Sequence, residues 1–238
     1  MTNHQIANDT PDRAPARGRS RRSFLARALG ASALAVPALG LVAAPRAAAG
    51  APKKAGGPTA TLLQEIMNDE AAHVKVIQNL LDDDDNPLAV PIRPSPTLDT
   101  DALTQRNFQS FLEVAAAFEN TGSGLYHGAL LNITQTQEYF PVAAGLADVE
   151  SRHASWLNSL LGEALVPDFA PVEAPIDQTT VLSRVAPFVE DHRSTFPSFD
   201  TTVVSDRNNF FILDFVLFLE YIEAAFYAVN VPRFAALR

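Results

Sequence analysis

Two copies of one four-residue pattern, Glu-x-x-His, constrain this chain more than any other feature. They are Glu70/His73, in Asn-Asp-Glu-Ala-Ala-His, and Glu150/His153, in Val-Glu-Ser-Arg-His. Residues three apart share one face of a helix, and here that face is otherwise apolar. The first stripe runs Leu63, Ile66/Met67, Glu70, His73/Val74, Ile77, Leu80/Leu81; the second runs Ala143, Leu146, Glu150, His153, Leu157, Leu160/Leu161. Two lone glutamates, Glu119 and Glu220, fall on apolar stripes of their own. Carboxylates and imidazoles on core-facing stripes are costly to bury unless something compensates them. A pair of metal ions held between four helices is the compensation that fits this ligand list.

The three-four spacing predicts four helices, over about Thr61–Leu81, Asp101–Ile133, Glu138–Leu165 and Ser205–Asn230. None of these segments alternates like a strand, so the expected fold is an all-α four-helix bundle. Only Thr134–Gln137 separates the second helix from the third, too short to cross a helix length of about 30 Å, so those two should be antiparallel neighbours. The links at 82–100 and 166–204 are long and Pro-punctuated, able to cross the bundle, and the second should hold a short helix near Thr179–Phe188.

The helices also echo one another. Glu119 is followed seven residues later by Tyr126, and Glu220 seven later by Tyr227, so each tyrosine stands two turns from its glutamate on the same face. The four helices read as two copies of one pair, a Glu-x-x-His helix with a Glu-x6-Tyr helix. Four carboxylates and two imidazoles make an oxygen-rich donor set suited to iron or manganese, and the absence of cysteine removes thiolate ligands.

A single Glu-x-x-His is more often a solvated pair or a satisfied core histidine; the constellation of two pairs and two matching glutamates is what points to metal. Glu223, one turn from Glu220, is either an additional group at the site or a solvated flank. Tyr126 and Tyr227 are placed to hydrogen-bond ligands or to be oxidised, although core packing with a hydrated hydroxyl is the commoner role. Trp156 reads as core, His127 and His192 as non-ligands, and Asp82–Asp85 as a solvated loop. Gly122 and Gly124 inside a helix cost stability, which a bulge or a close helix contact beside Glu119 would explain.

Charge divides the chain. Residues 1–49 carry seven arginines against Asp9 and Asp12, while the rest carries 11 basic and 25 acidic residues. Within the basic part, Ser20-Arg21-Arg22-Ser23-Phe24-Leu25 precedes an apolar run of about 17 residues and the small-residue string Ala47-Ala48-Ala49. This resembles a twin-arginine export signal at 1–49, followed by a linker at 50–60 and a bundle domain at 61–238, with a periplasmic or extracellular destination. The run is short, weakly hydrophobic and interrupted by Pro37, which argues against a membrane anchor. The acidic remainder excludes nucleic acid and stable membrane insertion as expected partners and favours cations.

At Asp69-Glu70-Ala71-Ala72-His73, Phe118-Glu119-Asn120-Thr121-Gly122, Glu150-Ser151-Arg152-His153-Ala154 and Leu219-Glu220-Tyr221-Ile222-Glu223-Ala224-Ala225-Phe226-Tyr227, the chain resembles the ferritin-like superfamily. Within it, the likeness is to exported bacterial proteins related to plant desiccation-associated proteins. The resemblance implies a ferritin-like bundle with a di-iron or di-manganese site whose ligands are Glu70, His73, Glu119, Glu150, His153 and Glu220. It further implies Fe(II) oxidation or peroxide consumption, with dioxygen or peroxide as partner; the rival is a non-enzymatic envelope stress protein that sequesters metal. One departure stands out, since the Leu-Glu-Tyr-x-Glu-Ala helix usually comes first and here comes last. Either the bundle is circularly permuted, or Glu220 completes the site of a second chain in a swapped dimer.

Overall fold

The computed structural model describes residues 55–82, 91–134, 136, 138–190 and 199–235. The export signal at 1–49, His192 and most of the Asp82–Asp85 run lie outside them. Among the described residues the protein is all-helical, with one isolated β-bridge between Leu98 and Val189.

Helix α1 spans Pro58–Leu81 and begins with a proline, whose fixed φ suits a first helical turn. Pro58–Ala60 are thus helix rather than linker. The second predicted helix is divided. A single turn, α2 (Thr100–Leu103), is capped by Asp99, and α3 (Phe108–Leu130) starts afresh on an Asn107/Ser110 capping box. The break at Thr104–Asn107 is held from afar. Buried Asn230 accepts from Gln105 N at 2.9 Å and donates to the Leu103 carbonyl at 2.9 Å. Those backbone groups are satisfied without a continuous helix, and α3 ends at Leu130 rather than Ile133.

Helix α4 (Phe140–Leu161) stops short of the predicted Leu165 because Gly162 adopts φ 77, the left-handed conformation that closes a helix end. Helix α5 (Gln178–Val185), with the 3-10 turn Ala186–Phe188, lies where the short helix was expected. Helix α6 (Asp206–Phe234) runs four residues past the predicted end; Pro232 falls in its last turn, near enough to the end to be tolerated.

The backbones of α1 and α6 pack closely, as do those of α3 and α4, with α3 also lying against α6. The α3–α4 pair is antiparallel, as its short connection requires: Asn120 meets Asn158 and Ser123 meets Ser151. Along α3 and α6, Phe111 meets Phe234, Phe118 meets Phe226, and Thr134 meets Asn209, so these too are antiparallel. The described part of the 82–100 link crosses the bundle along α6. Arg93 clamps Asp214 through two nitrogens, the closer at 2.7 Å, and Tyr221 donates to the Arg93 carbonyl. The link then joins the second connection at the Leu98–Val189 bridge. Covered by α1, α3 and this link over most of its length, α6 is the most deeply buried of the long helices, with a partly exposed stripe through Tyr221, Ala225 and Ala228.

Candidate metal centre

Each long helix brings its polar residues to one point at mid-length. All six predicted ligands converge there and all are buried: Glu70, Glu119, Glu150 and Glu220 completely, His73 and His153 at 5% and 8% exposure. They form two groups of four, each with donor atoms mutually within 4.8 Å. One group is Glu70, His73, Glu150 and Glu220; the other is Glu70, Glu119, Glu150 and His153. Glu70 and Glu150 belong to both. His73 with Glu220 closes one side, and His153 with Glu119 closes the other. The helix pairs inferred from the sequence echo therefore correspond to the two halves of the site.

Both imidazoles turn Nδ1 inward. His73 Nδ1 lies 3.0 Å from Glu150, 3.4 Å from Glu220 and 3.5 Å from Glu70. His153 Nδ1 lies 3.2 Å from both Glu70 and Glu119. The rings stack with centroids 6.3 Å apart. Close as these approaches are, none of them has hydrogen-bond geometry. Both Nδ1 atoms, both oxygens of Glu70, Glu150 and Glu223, and one oxygen each of Glu119 and Glu220 are buried without a hydrogen-bond partner. Each orphaned group of this kind costs about 1–3 kcal/mol. Two cations placed among them would satisfy the set, and donors that are all carboxylate oxygen or imidazole nitrogen suit iron or manganese. The residues fit a dimetal centre.

The remaining oxygens of Glu119 and Glu220 are taken by the tyrosines, in a crossed arrangement. Tyr126 of α3 donates to Glu220 of α6, and Tyr227 of α6 donates to Glu119 of α3. The expectation of hydrated hydroxyls is corrected, since both tyrosines are buried. Antiparallel packing explains the exchange: two turns along one helix is where the partner helix carries its glutamate.

Burial and mutual repulsion set the protonation of the metal-free site. Burial, then the nearby Glu70 charge, raises Glu119, and raises Glu150 further with Glu119 adding to it. Glu220 is pushed up to about 7 by burial against the pull of His73. Burial also acts to raise Glu70, but His73 and His153 together draw it down to about 2. Burial disfavours charge on both imidazoles, yet the carboxylates, led by Glu70 for His73 and Glu119 for His153, hold them well above the usual histidine range. Burial, with Glu220 and Glu119 respectively, raises the Tyr126 and Tyr227 hydroxyls.

Two residues gain a place that sequence reasoning left open or passed over. Glu223 is fully buried, and burial, reinforced first by Glu150, drives its carboxyl far upward. It sits outside both four-donor groups. The solvated-flank alternative fails because Glu223 lies on the side of α6 turned toward Gly122 of α3, while the partly exposed stripe of α6 runs through Tyr221, Ala225 and Ala228. Asp69 contacts His153 Nε2 at 3.3 Å from across the gap between α1 and α4. Its signal was the spacing to His73: residues four apart share a face, which turns Asp69 toward the site.

The glycines of α3 mark close approach, and the helix is unbroken. A Cβ on Gly122 would lie 2.5 Å from Glu150 Oε2 and 3.3 Å from Glu223 Oε1; one on Gly124 would meet Ile176 at 2.5 Å. His127 lies outside both four-donor groups, and its Nδ1 bonds the Ser123 carbonyl at 2.8 Å. Trp156 is corrected from core to rim. It is half-buried and lines an open surface depression with Arg152 and Leu165.

The family model described as "Ferritin-like domain" matches residues 38–163, more than half the chain. The matched range takes in α1 to α4 and five of the six predicted ligands, and ends before α6 and Glu220. No curated protein and no solved structure gives a match.

Proposed function

Because the chain belongs to the ferritin-like domain family, we propose that it binds two iron or manganese ions and turns them over against dioxygen or peroxide. The observation that carries this reading is the pair of four-donor groups sharing Glu70 and Glu150, with their inward atoms buried and unpartnered. Glu70 and Glu150 would be common to both ions. His73 and Glu220 would complete one position, His153 and Glu119 the other. The ions, when bound, supply the one-electron chemistry that carbon side chains lack. The chain's own contribution is to exclude bulk water and fix the donors. Tyr126 and Tyr227 hold Glu220 and Glu119 by one oxygen each, leaving the other free for an ion.

The arginine pair and apolar run at 1–49 support export by the twin-arginine route, to the periplasm or beyond, and relatedness to desiccation proteins accords with the Leu219–Tyr227 motif. The length of the 166–204 link supports a circularly permuted, self-contained bundle in which α6 would supply Glu220 to its own chain. Among the described residues no helix is long and apolar enough to cross a membrane.

Anaerobic loading with Fe(II) or Mn(II) followed by elemental analysis tests the site. About two ions per chain are expected, and none in a Glu70→Ala/Glu150→Ala double variant. Equal, low occupancy in both would sink the proposal. Oxygen and peroxide consumption by the loaded protein then separates turnover from metal sequestration, and mass in solution separates a monomer from a swapped dimer.

A further inference from the structure

The six ligands obey an approximate two-fold relation that exchanges α1 with α4 and α3 with α6. It maps Glu70 and His73 onto Glu150 and His153, and Glu119 with Tyr126 onto Glu220 with Tyr227. Applied to neighbouring positions, the same relation exposes where the symmetry fails. Asp69, directly before Glu70, corresponds to Val149, directly before Glu150. Glu223, three after Glu220, corresponds to Gly122, three after Glu119. The second failure is one of packing, since the Glu223 carboxylate fills space beside Glu150 that a side chain on Gly122 would invade, and it stays outside both donor groups. The first reaches a donor directly. Asp69 lies 3.3 Å from Nε2 of His153, whereas Nε2 of His73 has no such partner among the described residues.

Resting on the two-ion reading above, we infer that the two metal positions are inequivalent and that Asp69 is the positioning residue that makes them so. An imidazole that ligates through Nδ1 carries its proton on Nε2, and a carboxylate accepting that proton fixes the tautomer and ring orientation and makes the ligating nitrogen more basic. His153 has this support from α1; His73, turned toward the same centre, does not. The ion on the His153/Glu119 side is therefore held more tightly and by a stiffer ligand. Asp69 contacts neither position directly and acts only through His153. Its side chain is 38% exposed, so it is replaceable without opening the core.

The test uses Co(II), whose visible bands report each ion as it binds, titrated anaerobically into wild type, Asp69→Asn, Asp69→Ala and Asp69→Glu. Asp148→Asn, at 73% exposure on α4, controls for the loss of one negative charge. The wild type should bind in two resolvable steps. Asp69→Asn and Asp69→Ala should weaken one step about 10-fold and leave the other in place, and Asp69→Glu should recover much of the loss. In the Co(II)-loaded wild type the two exchangeable imidazole protons should differ in proton NMR exchange rate, and Asp69→Ala should speed only the slower. A wild type that binds no Co(II) overturns the site itself. Two ions bound with constants that neither Asp69→Asn nor Asp69→Ala changes, or that Asp148→Asn changes equally, overturn only this inference.

Discussion

Replacing Gly122 with alanine sets helix stability against the geometry of the site. Glycine inside a helix is about 1 kcal/mol less favourable than alanine, so the backbone of α3 gains from the change. The added Cβ would sit 2.5 Å from Glu150 Oε2, whereas ordinary contact begins near 3.4 Å, so that oxygen must withdraw by about 0.9 Å. The obstructing atoms, Glu150 Oε2 and Cδ at 3.2 Å and Glu223 Oε1 at 3.3 Å, are ends of flexible side chains rather than backbone. The metal-free protein should therefore keep its stability, or gain up to about 1 kcal/mol, which for a domain of this size is a rise of about 2–4 °C in Tm. Metal binding should suffer. Ligand distances must hold to about 0.2 Å, and Glu150 serves both donor groups, so both ions should weaken at least about 10-fold. Thermal unfolding in chelator, paired with Co(II) titration, measures the two effects separately. Unchanged metal affinity would refute the placement of Glu150 between the ions. A loss of several kcal/mol in the metal-free state would refute the claim that side chains absorb the clash.

Tyr126→Phe and Tyr227→Phe should have closely matched effects, because each removes one hydroxyl from one otherwise buried glutamate. A loss of about 1–3 kcal/mol apiece is expected in urea unfolding of the metal-loaded protein, and a large loss from only one would contradict the crossed arrangement. The metal-free protein should be most stable in mild acid. Glu119, Glu150, Glu220 and Glu223 all have folded pKa values above the ordinary 4.5, so the folded chain holds more protons than the unfolded one, and stability falls as pH rises from 4.5. Glu220 alone, titrating at about 7, contributes about 3 kcal/mol of that fall. Glu70 acts oppositely, losing its contribution only as pH drops from 4.5 toward 2. Urea midpoints in chelator between pH 5 and 8 check the slope, and metal affinity should rise over the same interval as ions displace protons.

The six side chains that converge at mid-bundle, the helices that carry them and the antiparallel α3–α4 contact were all legible in the sequence. Each follows from a local rule, such as the shared face of residues three apart or a four-residue connection too short to cross the bundle. Local signals also mark the break at Asn107, whose capping box with Ser110 starts a helix, and the stop at Gly162; the stripe periodicity ran through both. Periodicity cannot set the rotation and register of one helix against another. Those depend on packing between residues from 28 to about 150 positions apart. Only that packing decided that Glu70 and Glu150 belong to both donor groups while Glu119 and Glu220 belong to one each, that each tyrosine serves the other helix's glutamate, and that Asp69 reaches His153. It also buried Glu223, because the side of α6 that carries it packs against the Gly122 side of α3. The chain's composition fixed which donors a metal would meet; the relative placement of four helices fixed how those donors are divided between two four-donor groups.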